Sequence, residues 1–155
     1  MKKIHFKGPF RGFSAGNETV FRLQDAWSGG IYLWTIAYME GFLTYYVGET
    51  GRSFAQRMTE HARDYLSGLY RIYDPVSFAK GVKILLWEGM WKRGTSERMS
   101  EFLERFPEPG PQILQLLETM RIFIATLDAE KRIRQRIEAG IAHHLQMMPG
   151  LVGQF

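Results

Sequence analysis

Hydrophobic and polar positions change their spacing along the chain, and the first clear pattern indicates a β-hairpin. Residues 30–38 are mostly apolar, aromatic or β-branched at consecutive positions, which is typical of a strand covered on both faces. Glu40-Gly41 interrupts this run, and residues 43–47 then predict a second strand. A short connection that contains glycine joins the two strands into a hairpin.

An amphipathic helix is predicted directly after the hairpin. Apolar residues recur at helical spacing from Phe54 to Leu66, and Gly68 gives a stop signal. Ser53 and Gln56, three positions apart, match a capping box, in which the serine side chain accepts a hydrogen bond from a backbone N–H of the first turn. We therefore expect the helix to begin just after Ser53.

The rest of the chain predicts shorter elements around an irregular middle. Residues 1–28 are expected to be irregular, with a turn at Gly8-Pro9 and a short strand at 20–23. The later elements are a strand at 82–87, a helix near 97–105, a short helix at 113–118, a strand at 121–127 and a long basic helix capped by Asp128. This order predicts an α/β domain with a small three-stranded sheet, made of the hairpin and the later strand and flanked by helices.

Length and composition fit one globular domain over residues 1–155. The chain is 45% hydrophobic, which is enough for a sizeable core, and its net charge of +4 permits an anionic partner such as nucleic acid without requiring one. The absence of cysteine excludes disulfides and thiolate metal sites. Because there is no signal-peptide pattern and no apolar run long enough to cross a membrane, we expect a cytoplasmic protein with no membrane partner.

Two tyrosine-bearing glycine motifs mark the hairpin, namely GIY at residues 30–32 and YVG at residues 46–48. Arg57 and His61 follow four positions apart, so they share one face of the predicted helix. This combination resembles the GIY-YIG nuclease superfamily, and the late glutamate of that family resembles Glu138 in the sequence RIEAGIAHHL. Either tripeptide alone is a weak signal, but both in order before the Arg-xxx-His helix are a specific one.

The resemblance implies a metal-dependent endonuclease that hydrolyses phosphodiester bonds in DNA, with RNA also open as a substrate. Glu138 would be the protein ligand of one Mg²⁺ (or Mn²⁺), a hard cation that keeps several waters. Tyr32 would orient or deprotonate the attacking water, and Tyr46 would position the water or the phosphate. Arg57 would offer its guanidinium to the phosphate oxygens, and His61 would donate to the phosphate or assist proton transfer.

The chain also departs from the family pattern. The resemblance covers residues 29–66 closely and residues 119–146 more loosely, and it leaves residues 70–118 as an insertion. The two motif tyrosines lie farther apart than is usual, which implies a longer hairpin loop. Many members carry an asparagine after the glutamate helix, whereas Asn17 is the only asparagine here. The alternative is therefore a catalytically inactive nucleic-acid-binding relative of the same fold; a protein-interaction module is a third possibility.

Further contacts to nucleic acid are predicted at Arg52, Lys92, Arg93 and Arg134. The pair at 92–93 stands beside Trp87 and Trp91, and aromatic faces next to cations suit nucleic acid. Equally, these tryptophans can belong to the core and the two cations to a solvated turn. Arg134 belongs to the basic last helix, which can follow a phosphate backbone or be plain solvated surface. Specificity would come from the insertion, from a partner or from dimerisation, so the chain is expected to be a monomer or a homodimer.

Purely structural roles are open for the same residues. Tyrosines are common in strands, Arg57 can be solvated, His61 can be a packing residue, and Glu138 can pair with Arg134 one turn earlier. The functional hypothesis makes a geometric prediction that packing does not make. It places Tyr32, Tyr46, Arg57 and Glu138 along one open, positively biased cleft, with His61 at its rim.

Overall fold

The computed structural model describes residues 3–13, 19–90, 96–108 and 110–146, and it contains elements of both α and β type. In chain order they are β1 (Lys7–Phe10), the 3₁₀ helices Val20–Arg22 and Gln24–Trp27, β2 (Gly30–Tyr38), β3 (Gly41–Thr50), α1 (Phe54–Leu66), β4 (Ile72–Tyr73), α2 (Pro75–Phe78), β5 (Leu85–Trp87), α3 (Ser96–Arg105), α4 (Gly110–Thr119), β6 (Met120–Thr126) and α5 (Lys131–Gln146).

An antiparallel sheet of four strands, in the order β1-β6-β2-β3, forms the centre of the fold. The predicted α/β class is confirmed, whereas the predicted count of three strands is wrong. The missed strand is β1, whose Gly8-Pro9 step predicts a turn. Proline is tolerated in this strand because β1 lies at the edge of the sheet, where a missing N–H can face away from the neighbouring strand.

The turn of the hairpin is short, and its strands are long. β2 and β3 pair from Gly30 opposite Thr50 to Tyr38 opposite Gly41, so Met39 and Glu40 alone connect them. The residues between the two motif tyrosines therefore lie mostly in the paired strands and not in the loop, so the expectation of a longer loop is wrong.

A β-bulge interrupts the pairing of β2 and β3. Trp34 pairs with Tyr46, the next pair joins Thr35 to Thr44, and Tyr45 is left as the extra residue. Consecutive residues of a regular strand point to opposite faces, but both tyrosines here pack on the same hydrophobic cluster. The bulge thereby brings two adjacent phenols to one face of the sheet.

Both faces of β2 are covered, as its continuous apolar run predicts. On one face, side chains of α1 join the cluster that contains Tyr32, Trp34 and Ile36. On the other face, α5 packs over Ile31 and Val47. The two helices that carry the predicted site residues therefore lie on opposite sides of the sheet.

The two long helices begin differently from one another. The predicted cap of α1 is confirmed, because Ser53 Oγ accepts a hydrogen bond from the N–H of Gln56 at 3.2 Å. The predicted cap of α5 is wrong, since the helix begins at Lys131 and the carbonyl of Glu130, not Asp128, accepts its first backbone hydrogen bonds. Among the residues that the structure describes, no helix has the length and apolar character needed to cross a membrane.

The expected strand at residues 20–23 is a 3₁₀ helix, so that prediction is wrong. The N–H of Arg22 bonds to the carbonyl of Thr19, and the N–H of Leu23 bonds to the carbonyl of Val20. These short-range bonds occupy the groups that a strand would offer to a neighbour. Val20 is nevertheless fully buried, which explains why its surroundings look like a strand in the sequence.

Residues 70–118 are more regular than predicted. They contain the predicted strand and helices as β5, α3 and α4, together with α2 and with β4, which pairs with β5 in a second small sheet. Phe102, Ile113 and Leu116 belong to the same buried cluster as Tyr32. The segment therefore completes the core on the α1 face of the sheet.

Gly48 lies opposite Tyr32 in the hairpin, and the phenol ring occupies the space that a side chain would need. A Cβ on Gly48 would lie 2.2 Å from Tyr32 Cζ and 2.4 Å from its Oη. We predict that Gly48→Ala lowers the free energy of unfolding by about 1–3 kcal/mol, because the buried ring must shift in a packed core. Urea denaturation followed by circular dichroism measures the change.

Gly41→Ala is the matched control on the same strand, because a Cβ at Gly41 meets no atom within 4 Å. Its free energy of unfolding should stay within about 0.5 kcal/mol of the wild-type value. A Gly48→Ala protein as stable as this control would show that Tyr32 is not held against β3.

Candidate active site

The hydroxyl of Tyr32 is buried and hydrogen-bonded to both polar side chains of the Arg57–His61 helix face. Tyr32 has 0% of its surface exposed. Its Oη lies 2.9 Å from His61 Nε2 and accepts a hydrogen bond from Arg57 Nε at 3.2 Å. These three residues form one hydrogen-bonded group, the Tyr32 network.

The chemistry of the three groups assigns the direction of each hydrogen bond. Arg57 Nε always carries a proton, so Tyr32 Oη accepts from it, and we assign the phenol proton to the bond with His61 Nε2. Burial, and then the positive charge of Arg57, lower the pKa of His61 to about 3, so the ring is neutral. With Tyr32 assigned as the donor to Nε2, the single proton of the ring is on Nδ1. Burial also raises the pKa of Tyr32 well above its ordinary value, which keeps the phenol protonated.

Glu60, a carboxylate that the motif does not single out, holds the other end of Arg57. Arg57 Nη1 donates to Glu60 Oε2 at 3.1 Å, and Arg52 donates to both oxygens of the same carboxylate. Burial opposes the ionised form of Glu60, but the hydrogen bonds from the two arginines outweigh it and lower its pKa. The i, i+3 spacing of Arg57 and Glu60 is the signal in the sequence that identifies this partner.

An open cleft of about 550 Å³ borders the Tyr32 network on the α1 face of the sheet. Its aromatic walls come from Trp34, Tyr45, Tyr46, Tyr65 and Tyr70. Its charged and polar groups come from Arg57, His61, Asp64 and Arg71. We call it the tyrosine cleft.

Of the four groups expected along one open cleft, two are found there. Tyr46 and Arg57 line the tyrosine cleft. His61, expected at the rim, is part of the wall with 5% of its surface exposed. Tyr32 lies beneath the cleft without an open surface, and Glu138 is not among the lining residues. The prediction of an open position in this cleft is therefore wrong for Tyr32 and for Glu138.

Glu138 is partly buried on α5, on the opposite face of the sheet from α1. Burial raises the pKa of its carboxyl group, the negative charge of Glu49 raises it further, and the positive charge of Arg57 lowers it. Because β3 is the edge strand, side chains from the two faces of the sheet can come near each other beyond it, and the charge of Arg57 can act there on Glu138. Glu138 is thus coupled by charge to the Tyr32 network without a hydrogen bond to it.

Arg134 fastens α5 to the end of β3. Its Nε donates to Glu49 at 2.8 Å, and its Nη1 donates to the carbonyl of Ala129. Because 13% of the side chain is exposed, little of it is open to the nucleic-acid contact predicted from the sequence. The sequence spacing suggests Glu138 as a partner of Arg134, but Arg134 pairs with Glu49 instead.

The oxygen donors around Glu138 fit a hard divalent cation. Mg²⁺ and Mn²⁺ prefer carboxylate and water ligands. The Glu138 carboxylate receives no hydrogen bond from the described residues, and Glu49 adds negative charge nearby. Over the same part of the chain, no three His, Asp or Glu side chains gather into a metal site, so a cation at Glu138 would take its other ligands from water and substrate.

The remaining predicted contacts to nucleic acid have different outcomes. Lys92 and Arg93 lie outside the described residues, as does Trp91. Arg52 is at the surface while it binds Glu60. Trp87 is buried, its Nε1 donates to the carbonyl of Gly68 at 2.8 Å, and it therefore belongs to the core and not to a stacking surface.

Comparison of the chain with protein-family models, with curated proteins and with solved structures found no match. The resemblance to GIY-YIG nucleases therefore depends on the motif residues themselves. What the geometry adds is the grouping of Tyr32 on β2 with Arg57 and His61 on α1.

We predict a loss of stability in acid that depends on His61. The ring stays neutral in the folded protein down to about pH 3, whereas a histidine in the unfolded chain takes up a proton near 6.5. The unfolded state therefore binds more protons between these values, and the free energy of unfolding falls as the pH drops, by about 1.4 kcal/mol per pH unit.

Urea denaturation at about pH 7 and about pH 4.5 gives the change in the free energy of unfolding with pH for each variant. The difference between wild type and variant is the contribution of His61. His61→Gln should lack it, whereas His143→Gln, on the exposed face of α5, should keep the wild-type pH dependence. An identical pH dependence in wild type and His61→Gln would contradict a neutral, buried His61.

Proposed function

We propose that the protein is a metal-dependent endonuclease of the GIY-YIG type that hydrolyses phosphodiester bonds in DNA. The Tyr32 network carries this proposal, since it joins a phenol, a guanidinium and a neutral imidazole within 3.2 Å beside an open cleft. Burial of these groups costs free energy unless each is paired, so packing alone does not favour their presence. Phosphodiester hydrolysis does favour it, because the reaction needs a cation for the phosphate and groups that hold protons.

Arg57 is the phosphate-binding residue in this proposal. Tyr32 engages its Nε and Glu60 engages its Nη1, while no described residue accepts from Nη2. A guanidinium held from two sides presents its remaining N–H groups in a fixed direction, so little side-chain freedom is lost when a phosphate oxygen binds. The positive charge then favours the transition state, in which negative charge accumulates on those oxygens.

His61 and Tyr46 are the proton-bearing groups that face the substrate. Because Nε2 of His61 accepts from Tyr32, its Nδ1–H is the donor available to a phosphate or leaving oxygen. Tyr46 lines the same cleft and would orient the attacking water through its hydroxyl. Tyr32 is then a positioning residue, which fixes the tautomer of His61 and the orientation of Arg57 together.

Glu138 would hold Mg²⁺ or Mn²⁺, which would supply charge neutralisation to a phosphate and a more acidic bound water. Although Glu138 lies across the sheet from the tyrosine cleft, the charge of Arg57 acts on its carboxyl group past the edge strand β3, and this supports one substrate that meets both groups. The carboxylate is suited to this role because its oxygens accept no hydrogen bond from the described residues. Arg134 supports the arrangement by tying Glu49 to α5.

A catalytically inactive nucleic-acid-binding protein is the second candidate, and the burial of Tyr32 favours it. A phenol with no exposed surface cannot touch an attacking water directly. Arg57 and the aromatic walls of the tyrosine cleft would still bind nucleic acid without cutting it. Incubation with plasmid, branched and single-stranded DNA and with RNA, each with Mg²⁺ and with a chelator, separates the two candidates.

We predict that cleavage is lost in chelator and that Glu138→Gln reduces it by about a hundredfold or more, because the charge that binds the cation is removed while the side-chain volume is kept. Gel assays of DNA cleavage measure the rate, and thermal denaturation with and without Mn²⁺ reports cation binding independently of activity. The variant should remain folded and lose the stabilisation by Mn²⁺.

Glu130→Gln is the matched control on the same helix. Glu130 lies at the exposed start of α5, where a carboxylate contributes about 0.3–1 kcal/mol to the helix and nothing to the site. This variant should cleave DNA at nearly the wild-type rate. Wild-type cleavage by Glu138→Gln, or full activity in chelator, would remove Glu138 from the mechanism.

We predict that Tyr32→Phe lowers kcat about tenfold to a hundredfold and leaves the affinity for DNA nearly unchanged. The hydroxyl holds His61 and Arg57 in position but contacts no substrate, so its loss affects the transition state more than the bound state. Single-turnover cleavage and DNA-binding titrations in chelator measure the two quantities separately. A proportional loss of affinity would indicate a binding role for Tyr32 instead.

A further inference from the structure

The tyrosine cleft extends well beyond the Tyr32 network. Its volume of about 550 Å³ lies in the range of small-molecule sites, about 300–1,000 Å³, and exceeds what one phosphate group requires. Beyond Arg57 its lining is largely aromatic, and the proposed reaction makes no use of Tyr65 or Tyr70. The aromatic part of the cleft therefore needs a separate explanation.

Tyr70 forms a fixed aromatic wall of this cleft. Its ring centroid lies 5.1 Å from that of Tyr65 and 5.6 Å from that of His61. Burial raises the pKa of Tyr70 to about 12, so the phenol stays protonated. A ring that is held between two neighbouring rings loses little freedom when another ring stacks against it.

Trp34 contributes a buried donor without a partner. The residue lines the cleft with 2% of its surface exposed, and its Nε1 finds no hydrogen-bond acceptor among the described residues. Tyr65 stacks on the indole with ring centroids 5.9 Å apart, which engages the ring face and not the N–H. The Nε1 atom itself has almost no accessible surface, so Trp34 contributes its ring, and not its N–H, to the wall of the cleft.

We propose that the tyrosine cleft binds a nucleobase, unstacked from its own strand, beside the phosphate that Arg57 holds. Every base offers a flat face for stacking on tyrosine, and the cleft places such rings beside the guanidinium of Arg57. A base inside a regular duplex is not available to such a cleft. The substrate is therefore single-stranded nucleic acid or a duplex with an extruded nucleotide. This inference rests on the proposed function, because it names the substrate class of the same site.

Calorimetric titration of the full chain in chelator, with deoxyadenosine monophosphate and with deoxyribose 5-phosphate, separates the base from the phosphate. We expect the nucleotide to bind about tenfold more tightly, since stacking of one base on an aromatic side chain accounts for a difference of that size. Equal affinities for the two ligands would overturn the proposal.

Two substitutions locate the base within the cleft. Tyr70→Leu should abolish the tenfold preference and leave the affinity for deoxyribose 5-phosphate unchanged. Tyr70→Phe, which keeps the ring and removes only the hydroxyl, should keep most of the preference. Tyr38→Leu, at the exposed end of the hairpin, is the matched control and should retain the wild-type preference.

Thermal denaturation establishes that each variant is folded before titration, and the comparison of the two ligands on the wild-type protein decides the matter if Tyr70→Leu does not fold. A full preference for the nucleotide in a folded Tyr70→Leu protein would place the base elsewhere and overturn the proposal.

The titrations require no cleavage, so their outcome is distinct from that of the proposed function. A protein that prefers the nucleotide but never cuts DNA has the base site and is not an endonuclease. A protein that cuts DNA but binds both ligands equally is an endonuclease without the base site.

Discussion

A phenol oxygen that is sealed from water must find its hydrogen-bond partners inside the protein, and for Tyr32 these partners are Arg57 and His61. Both come from one face of α1, so the helix must start where it does for the two side chains to reach the same oxygen. The Ser53 cap fixes that start. On the other side of the ring, Gly48 leaves the space that the phenol occupies. Helix start, hairpin register and site geometry thus depend on one buried hydroxyl group.

Charge around the site is more evenly balanced than a net charge of +4 suggests. Arg52 and Arg57 share Glu60, and Arg134 is paired with Glu49. A phosphate that approaches Arg57 therefore meets a guanidinium whose field is partly cancelled by a neighbouring carboxylate. In exchange, the carboxylate keeps the guanidinium in one orientation, which favours directional binding over general attraction to anions.

Local signals in the sequence suffice to predict much of this fold. The hairpin, α1 with its Ser53 cap, and the shared face of Arg57 and His61 follow from alternation, helical spacing and capping chemistry. The burial of Tyr32 does not follow from such signals, because it depends on which residue of β3 lies opposite it. The position of Glu138 is similar, since helical spacing places it on α5 but does not say how α5 crosses the sheet. Edge strand β1 is missed because Gly8-Pro9 has the same local appearance in a turn and at a sheet edge.

The bulge at Tyr45 shifts the alternation of β3 by one residue, so the residues that face α1 change from odd-numbered to even-numbered positions. On the turn side of the bulge, odd-numbered residues such as Leu43 face the α1 cluster, and beyond it the even-numbered Tyr46 and Gly48 do so. An insertion or deletion near the hairpin tip can therefore lengthen or shorten both paired strands, and a bulge of one residue restores which side chains face α1. The distance in sequence between the two motif tyrosines can then drift during evolution while their phenols keep the same place in the sheet.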